Sequence, residues 1–345
     1  MSRREFLRNI SATTVAGGLL GSGRLSNANQ ADKPNIGYFQ PPEEPLVDRL
    51  DRPWEMTEQE WTNIIGRVRP GTPLKPKHWP NDSKFAVALS FDCDHEAGSL
   101  ASGNFAPGRL AWGERGRRVG VPRILDVLRR HDVVATFYIP AVVALIDPEE
   151  TRRIVGDGHE IGLHGWIHTN NSKLDRNTER EIMLRSREVL EKVSGKSIVG
   201  HRSPNFDMSL NTIELAAELG LEYDSSMMAD DSCYELLLDG NPSGLVEVPV
   251  EWVRDDATYL NFSRSGARPW LSPTDVFEIF KVELDQAAAE GDVFQLLMHP
   301  HVIGHRSRIC IVERLIEHAK TLGDAWFGTH AQVARWAREN AHELE

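Results

Sequence analysis

Residues 84–94 read KFAVALSFDCD, an apolar run that ends in two carboxylates. Short apolar runs like this one alternate with amphipathic segments of helical period, a pattern typical of βα units in a mainly parallel sheet. The predicted strands cover 85–91, 133–139, 160–163, 197–200, 245–250, 293–298 and 325–327. The predicted helices cover 121–130, 149–155, 178–193, 211–219, 273–290, 307–321 and 330–340. The sequence therefore predicts an α/β fold whose apolar helix faces pack as core.

The segment that precedes this pattern has a different composition. Residues 29–80 are rich in proline and charge, as in QPPEEP at 40–45. Only 57–67 predicts a helix there, because Thr57 with Glu60 three residues later forms a capping-box signal. We expect 29–80 to be an N-terminal arm with a short helix and no core of its own. Residues 81–345 are long enough for a single catalytic domain.

The extreme N-terminus resembles a twin-arginine export signal. SRREFLR at 2–8 precedes a weakly apolar stretch at 10–20. That stretch is far shorter than the roughly 20 apolar residues that a membrane span needs. Small residues at Ser26 and Ala28 predict cleavage after Ala28. We therefore expect 1–28 to be a signal peptide read by the twin-arginine export machinery, and the mature protein to be periplasmic or extracellular, without a membrane span.

Net charge and cysteine usage exclude several classes of protein. The formal charge is −12, and it becomes −15 without residues 1–28, which hold four Arg and one Glu. Such a surface repels nucleic acid and anionic lipid, so neither is an expected partner. Cys93, Cys233 and Cys310 are odd in number and widely spaced, which excludes a complete disulfide framework and a Cys-x-x-Cys metal knuckle. Nothing in the sequence indicates an oligomeric state.

Polar residues follow the predicted strands at the points where those strands end. The residues in question are Asp92 and Asp94 after 85–91, His164 after 160–163, Arg202 after 197–200, and His299 after 293–298. The carboxyl ends of strands are where loops converge and ligands bind in barrels and doubly wound sheets. The sequence therefore predicts one site built from four strand exits.

The two carboxylates of FDCD at 91–94 are two residues apart. Alternate side chains of an extended chain share a face, so Asp92 and Asp94 can both point into one cavity. One could bind a cation while the other stays available as a base. Cys93 should face the opposite side as a small core residue. An isolated strand-end Asp can also simply cap a loop.

His164 and His168, in GLHGWIH at 162–168, are four residues apart. This spacing places two imidazoles on one face of a helical turn around a shared divalent ion. Such a pair also arises by chance among 13 histidines, and His301 with His305 is a second example. The first pair gains weight from its place after a strand, with Asp94 available as third ligand. Two His and one carboxylate leave positions open, which is typical of a catalytic metal site.

Arg202 and His299 complete the predicted site. Arg202, in HRSPNF at 201–206, keeps its charge at all pH values and would hold a base carboxylate by a two-pronged contact. The alternative is a surface ion pair with a helix Glu. His299, in LMHPH at 297–301, is a candidate general acid because imidazole titrates near neutrality. The alternative is a hydrogen-bonded core histidine.

The order of these motifs resembles the five motif blocks of the polysaccharide deacetylase family, also called NodB homology domains or carbohydrate esterase family four. The blocks are Asp92-x-Asp94, His164-x-x-x-His168, Arg202-x-Pro204, Tyr223-Asp224-Ser225 and Met298-His299-Pro300. The resemblance covers roughly residues 81–340. It implies a distorted (β/α) barrel of seven or eight strands, Zn²⁺ or a similar divalent ion, and removal of N-acetyl groups from a polysaccharide.

Carried over by position, the resemblance also implies a role for each residue. Asp92 would be the base, Arg202 would orient it, and His299 would be the acid that protonates the departing amine. The metal ligands would be Asp94, His164 and His168. Trp112, Trp166 and Trp252 could supply a surface on which sugars stack, although aromatic residues are more often core.

One departure from the family pattern leaves the substrate open. Many members have adjacent motif-one carboxylates, whereas Cys93 separates them here. This variant resembles a subgroup of peptidoglycan deacetylase-like and allantoinase-like proteins, as do Glu251-Trp252, Asp255-Asp256 and 299–308. The alternative to a peptidoglycan- or chitin-like amino-sugar substrate is a small cyclic amide, as in an allantoinase or imidase. A non-catalytic wall-binding protein is a third interpretation, against which the intact set of site residues weighs.

Overall fold

A computed structural model describes residues 52–261 and 271–341. The predicted signal peptide and residues 29–51 of the predicted arm lie outside the described residues. The chain divides into two units, Met1–Met56 and Thr57–Glu345. The described part of the first unit is a single 3₁₀ turn at Pro53–Glu55. The second unit contains the sheet and all the predicted site residues.

Ten strands of the second unit form one sheet. They are β1 (Val68–Pro73), β2 (Phe85–Asp92), β3 (Thr136–Ile139), β4 (Glu160–Leu163), β5 (Gly200–His201), β6 (Tyr223–Asp224), β7 (Tyr234–Leu238), β8 (Asn241–Glu247), β9 (Val293–Met298) and β10 (Ala325–Phe327). Their order is β1-β7-β8-β6-β5-β4-β3-β2-β10, and β9 also pairs with β2. The pairs that involve β7 are antiparallel, and the other pairs are parallel.

The sheet curls around β2. One edge of β2 pairs with β9 from Ala86 to Phe91, while β3 and β10 divide the other edge between its two ends. All eight residues of β2 and all six of β9 are buried. Parallel strands covered on both faces are mainly apolar for this reason. Beyond β8, Asp255 forms a parallel bridge with Leu297, which brings the chain back beside β9.

Helices cover the outside of the curled sheet. The α-helices of the described residues are α1 (Glu58–Gly66), α2 (Ala97–Ala101), α3 (Pro107–Arg115), α4 (Val121–Arg130), α5 (Ala141–Ile146), α6 (Pro148–Gly156), α7 (Arg176–Ser194), α8 (Thr212–Glu218), α9 (Asp256–Leu260), α10 (Pro273–Glu290), α11 (Pro300–Ile303), α12 (Ile309–Leu322) and α13 (His330–Asn340). A π-helical turn, Gly116–Gly120, joins α3 to α4. Among the described residues no helix is both long enough and apolar enough to span a membrane.

The predicted α/β barrel-like fold is confirmed. Strands 160–163, 293–298 and 325–327 and helices 121–130, 273–290 and 330–340 have the predicted bounds. The capping box at Thr57 and Glu60 also forms. Two predicted strands are displaced along the chain: 197–200 becomes Gly200–His201, and 245–250 becomes Asn241–Glu247.

Three strands, β1, β6 and β7, were not predicted. β1 reads VRPGTP and lies within the predicted arm, where its two prolines and glycine suit an edge strand. β6 has two residues, too few for any period to be visible. β7 forms a hairpin with β8 through Asp239 and Gly240, a turn signal that the prediction missed. Its other edge pairs with β1, which is distant in sequence.

Gly200 allows β5 to pass close to a buried ring. A Cβ at this position would lie 2.0 Å from Cζ of Tyr223. We therefore expect Gly200→Ala to lower the free energy of unfolding by about 1–3 kcal/mol or more through overpacking. Urea denaturation measures this. Gly156→Ala is the matched control, because nothing lies within 4 Å of its added Cβ. Equal stability of the two variants would contradict the packing argument.

Candidate functional site

The side chains of the three predicted metal ligands lie together at the carboxyl edge of the sheet. Ligand atoms of Asp94, His164 and His168 are all within 4.8 Å of one another. The Nε2 atoms of His164 and His168 lie 3.3 and 3.4 Å from the same oxygen, Oδ1 of Asp94. Asp94 comes from the exit of β2, and both histidines follow β4. Residues 70 or more positions apart in sequence therefore converge on one point.

The turn that carries the histidines differs from the expectation. Residues 164–168 form an irregular turn, so the prediction of a shared helical face was wrong. Gly165 and His168 both have left-handed backbone, with φ of 69° and 63°. That turn brings the imidazole centroids to 5.0 Å. The two rings do lie together, as their spacing of four residues predicts. The chain between them is an irregular turn and not a helical one.

The cluster fits a divalent cation. His164 Nδ1 lies 2.8 Å from the carbonyl oxygen of Arg202, so Nδ1–H donates to it and Nε2 keeps its lone pair. His164 Nε2 and Asp94 Oδ1 are buried and have no hydrogen-bond partner among the described residues. Two imidazole nitrogens and one carboxylate oxygen form the donor set of catalytic zinc sites.

The three histidines near Asp94 control its charge. Burial raises the pKa of Asp94, but His168, His164 and His299 outweigh it and hold that pKa well below its usual value. The carboxylate is therefore ionised at neutral pH, as a metal ligand must be.

Arg202 lies beneath the cluster with no exposure to solvent. Its Nη1 donates to Oδ1 of Asp92 at 2.7 Å and to Oγ of Ser90 at 2.9 Å. Its Nε and Nη2 donate to the carbonyl and hydroxyl oxygens of Ser225. The ring of Tyr138 lies 4.0 Å from Cζ of Arg202. Asp92 is thus held by a permanent cation, but through one hydrogen bond, so the predicted two-pronged contact was wrong: the other two nitrogens bind Ser225. Oδ2 of Asp92 faces Nε2 of His164 at 3.6 Å.

His299 lies on the other side of Asp94. Its Nε2 is 3.7 Å from Oδ2 of Asp94, and its Nδ1 is 2.8 Å from Oδ1 of Asp256. The backbone N–H of His299 also donates to the Asp256 carboxylate at 3.1 Å. Burial lowers the pKa of His299, but the hydrogen bond and charge of Asp256, with Asp255 and Asp94, raise it well above its ordinary value. The imidazole therefore stays protonated to a higher pH than a free histidine.

Sequence reasoning did not find the contact between Asp256 and His299. The Asp255-Asp256 pair was noted only as typical of a subgroup, without a role. Asp256 begins α9, and the bridge from Asp255 to β9 brings it beside His299. Such a tertiary pairing leaves no local pattern. The available signal was two adjacent acids that precede a short helix.

The three predicted tryptophans and Cys93 differ in how exposed they are. Trp252 is 49% exposed and meets the ring of Phe206 edge-on at 5.0 Å. It lines an open recess of about 330 Å³ together with Asp255, Ala257 and Thr258. Trp112 and Trp166 are partly buried. Cys93 is fully buried in the core, on the face opposite Asp92 and Asp94.

Comparisons with known proteins agree with this arrangement. The polysaccharide deacetylase family model matches residues 82–223. A protein from Mycobacterium smegmatis assigned as a polysaccharide deacetylase has a crystal structure that is 34% identical, with a TM-score of 0.73 over 79% of this chain and 98% of its own. The peptidoglycan deacetylase of Helicobacter pylori is 29% identical over 67% of this chain and 89% of its own length. An allantoinase crystal structure is 25% identical, with a TM-score of 0.68 over 79% of this chain and 96% of its own.

The chain belongs to the polysaccharide deacetylase family. It is accordingly a hydrolase of carbon–nitrogen amide bonds in the class that acts on polysaccharides.

The ion pair of Arg202 and Asp92 gives a prediction about stability. Arg202→Met leaves Asp92 as an uncompensated buried charge, so we expect the free energy of unfolding to fall by about 3–5 kcal/mol. Urea denaturation in the presence of a chelator measures the loss without any contribution from bound metal. Adding Asp92→Asn should recover part of it, since the buried charge is then removed. Additive losses in the double variant would show that the two side chains do not interact.

Proposed function

We propose that this protein removes N-acetyl groups from an amino-sugar polysaccharide of the peptidoglycan or chitin type, with a divalent ion held by Asp94, His164 and His168. The observation that carries the proposal is that two further side chains contact this cluster, each with its own charged partner. Asp92, paired with Arg202, contacts it at His164, and His299, paired with Asp256, contacts it at Asp94. A candidate base and a candidate acid beside one metal site suit amide hydrolysis.

A bound divalent ion supplies Lewis-acid polarisation of the amide carbonyl, and Zn²⁺ suits the donor set of two nitrogens and one oxygen. Asp92 accepts the proton of the attacking water through Oδ2, because Oδ1 is taken by Arg202. Arg202 keeps this carboxylate in place through Nη1. Hydrogen bonds to Ser90 and Ser225 and packing on Tyr138 orient the guanidinium.

His299 protonates the amine as it leaves. Asp256 accepts the hydrogen bond from Nδ1 and so directs Nε2 towards the metal cluster. The raised pKa of His299 keeps a proton available on the ring at neutral pH. General acid and general base catalysis of this kind each contribute about 10²–10⁴-fold to a rate.

The recess beside the acid supports a sugar substrate. Trp252 is half-exposed there, and Asp255, which lines the same recess, lies 3.6 Å from His299. An exposed indole can stack on the apolar face of a sugar ring. The likeness to the peptidoglycan deacetylase of Helicobacter pylori favours peptidoglycan. The likeness to an allantoinase makes a small cyclic amide the second candidate.

One assay separates the two candidates. Purified protein is given acetylated amino-sugar polymers and, in parallel, cyclic ureides and imides, each with and without a chelator. We expect acetate release from the polymers, loss of that release with chelator, and its recovery on addition of Zn²⁺. Ring opening without acetate release would establish the second candidate. Full activity in chelator would rule out the metal.

Asp92→Asn tests the base. We expect turnover to fall by about 10²–10⁴-fold because the amide cannot accept a proton from water. Metal content should stay normal, since position 92 lies outside the proposed ligand set, and elemental analysis of the purified variant checks this. Turnover close to that of the unchanged protein would remove Asp92 from the role of base.

We further propose that the chain is exported by the twin-arginine route and acts outside the cytoplasm. In this proposal residues 1–28 are the signal, 29–80 the arm, whose segment Val68–Pro73 joins the sheet as β1, and 81–345 the catalytic domain. The run SRREFLR at 2–8 supports it. An exported enzyme could also reach a polysaccharide of the cell envelope, which lies outside the cytoplasm.

Replacing the arginine pair tests the export proposal. Arg3→Lys with Arg4→Lys should leave the protein in the cytoplasm with residues 1–28 still attached. Cell fractionation and the mass of the purified chain measure this, and Arg24→Lys is the control outside the pair. Unchanged export and processing of the double variant would argue for another route.

A further inference from the structure

A second cluster of metal-ligand type lies behind the site, on the opposite face of the same chain segment. Ligand atoms of Cys93, His95 and Glu150 all lie within 4.8 Å of one another. Alternation at the end of β2 directs Asp92 to one face and Cys93 to the other, and the turn that begins at His95 brings its imidazole to the Cys93 side. Glu150 reaches this second face from the first turn of α6.

All three side chains are withdrawn from solvent. Cys93 is 0% exposed, Glu150 1% and His95 5%. Nε2 of His95 and Oε1 of Glu150 are 2.9 Å apart. The other oxygen of Glu150, Oε2, is buried and has no hydrogen-bond partner among the described residues. An unpartnered carboxylate oxygen in the interior is unfavourable, so the hydrogen bond to His95 alone leaves Glu150 incompletely satisfied.

The surroundings hold the imidazole in one orientation. His95 has left-handed backbone, with φ of 43°. A Cβ on Gly116, in the π-helical turn, would lie 2.4 Å from Nδ1 of His95. The turn therefore leaves no space on the Nδ1 side of the ring, where Nδ1 is buried and has no hydrogen-bond partner among the described residues, and Nε2 faces Glu150. Fixed donors of this kind are what a metal site requires.

The donor set specifies the kind of ion. Burial and the nearby carboxylates raise the pKa of the Cys93 thiol, so the ion would have to displace the thiol proton when it binds. The thiolate formed in this way, an imidazole nitrogen and a carboxylate suit Zn²⁺, whereas Mg²⁺ and Ca²⁺ prefer oxygen ligands alone. Two donor atoms 2.9 Å apart can share an ion that lies about 2.0–2.2 Å from each. Oε2 of Glu150 could complete four donors by bidentate contact. A divalent ion would thereby give the buried Oε2 of Glu150 the partner that it lacks.

We propose that Cys93, His95 and Glu150 bind a second divalent ion of the zinc type, separate from the one at Asp94, His164 and His168. Such an ion would fasten the exit of β2 to α6 and so support the segment that carries Asp92 and Asp94. The site in this proposal is structural, and no step of the hydrolysis depends on it.

The thiolate gives a specific readout. The cluster around Asp94 contains only nitrogen and oxygen donors, so a sulfur-to-metal charge-transfer band with Co²⁺ can arise only at Cys93, Cys233 or Cys310. Full-length protein is stripped of metal and reloaded with Zn²⁺ or with Co²⁺. Metal per chain is measured by elemental analysis, and the near-ultraviolet spectrum is recorded for the Co²⁺ form.

We expect two ions per chain and a charge-transfer band in the unchanged protein. Cys93→Ser should bind one ion and lose the band. Cys233→Ser is the matched control: it removes the other buried cysteine and should keep both ions and the band. A band that persists in Cys93→Ser, or is lost in Cys233→Ser, would overturn the proposal.

His168→Ala tests the second site independently, in case Cys93→Ser does not fold. This variant disables the cluster around Asp94 and leaves the second cluster unchanged. We expect it to bind one ion and to retain the thiolate band in full. If it binds none and shows no band, the second site does not exist. Because the count and the band do not depend on acetate release, the result is separate from the test of the proposed function.

Discussion

The buried guanidinium of Arg202 links the strands at the centre of the sheet through hydrogen bonds. Arg202 follows β5 and donates to Ser90 and Asp92 of β2 and to Ser225, which follows β6. Its own carbonyl accepts from His164, which follows β4, and it packs on Tyr138 of β3. A buried charge is tolerated only when hydrogen bonds and a counter-charge surround it. Five strands must therefore be in register before Arg202 is satisfied, and that register also positions the metal cluster.

The hydrogen bonds continue below Arg202 into the base of the barrel. The hydroxyl of Tyr138 lies 2.7 Å from Nδ1 of His330 and 3.2 Å from the hydroxyl of Tyr223. Tyr223 in turn donates to Glu160 at 2.8 Å. The interior of the barrel is thus partly polar, in contrast with the apolar layer between the sheet and the helices. Polar groups inside a sheet fix its register more sharply than apolar packing alone, because each has few acceptable partners.

The sequence was most informative where burial is complete and least informative where contacts are distant. β2 and β9 were predicted because strands covered on both faces are mainly apolar, with Ser90, Asp92 and Gln295 as the buried polar exceptions. β5 and β6 have two residues each, so their pairing depends on neighbours and not on any local period. The same division applies to the site. Asp94, His164 and Arg202 are visible as polar residues at strand exits, whereas the bond between Asp256 and His299 requires the folded chain.

The left-handed backbone of Gly165 and His168 restricts which amino acids these two positions can accept. For residues other than glycine that backbone conformation is unfavourable by about 1–2 kcal/mol, and β-branched side chains tolerate it least. Histidine at position 168 must therefore satisfy two demands at once, a ring that faces Asp94 and a backbone with φ of 63°. Few amino acids meet either demand, and fewer meet both. Few substitutions at position 168 can therefore keep both the metal cluster and the fold of this loop.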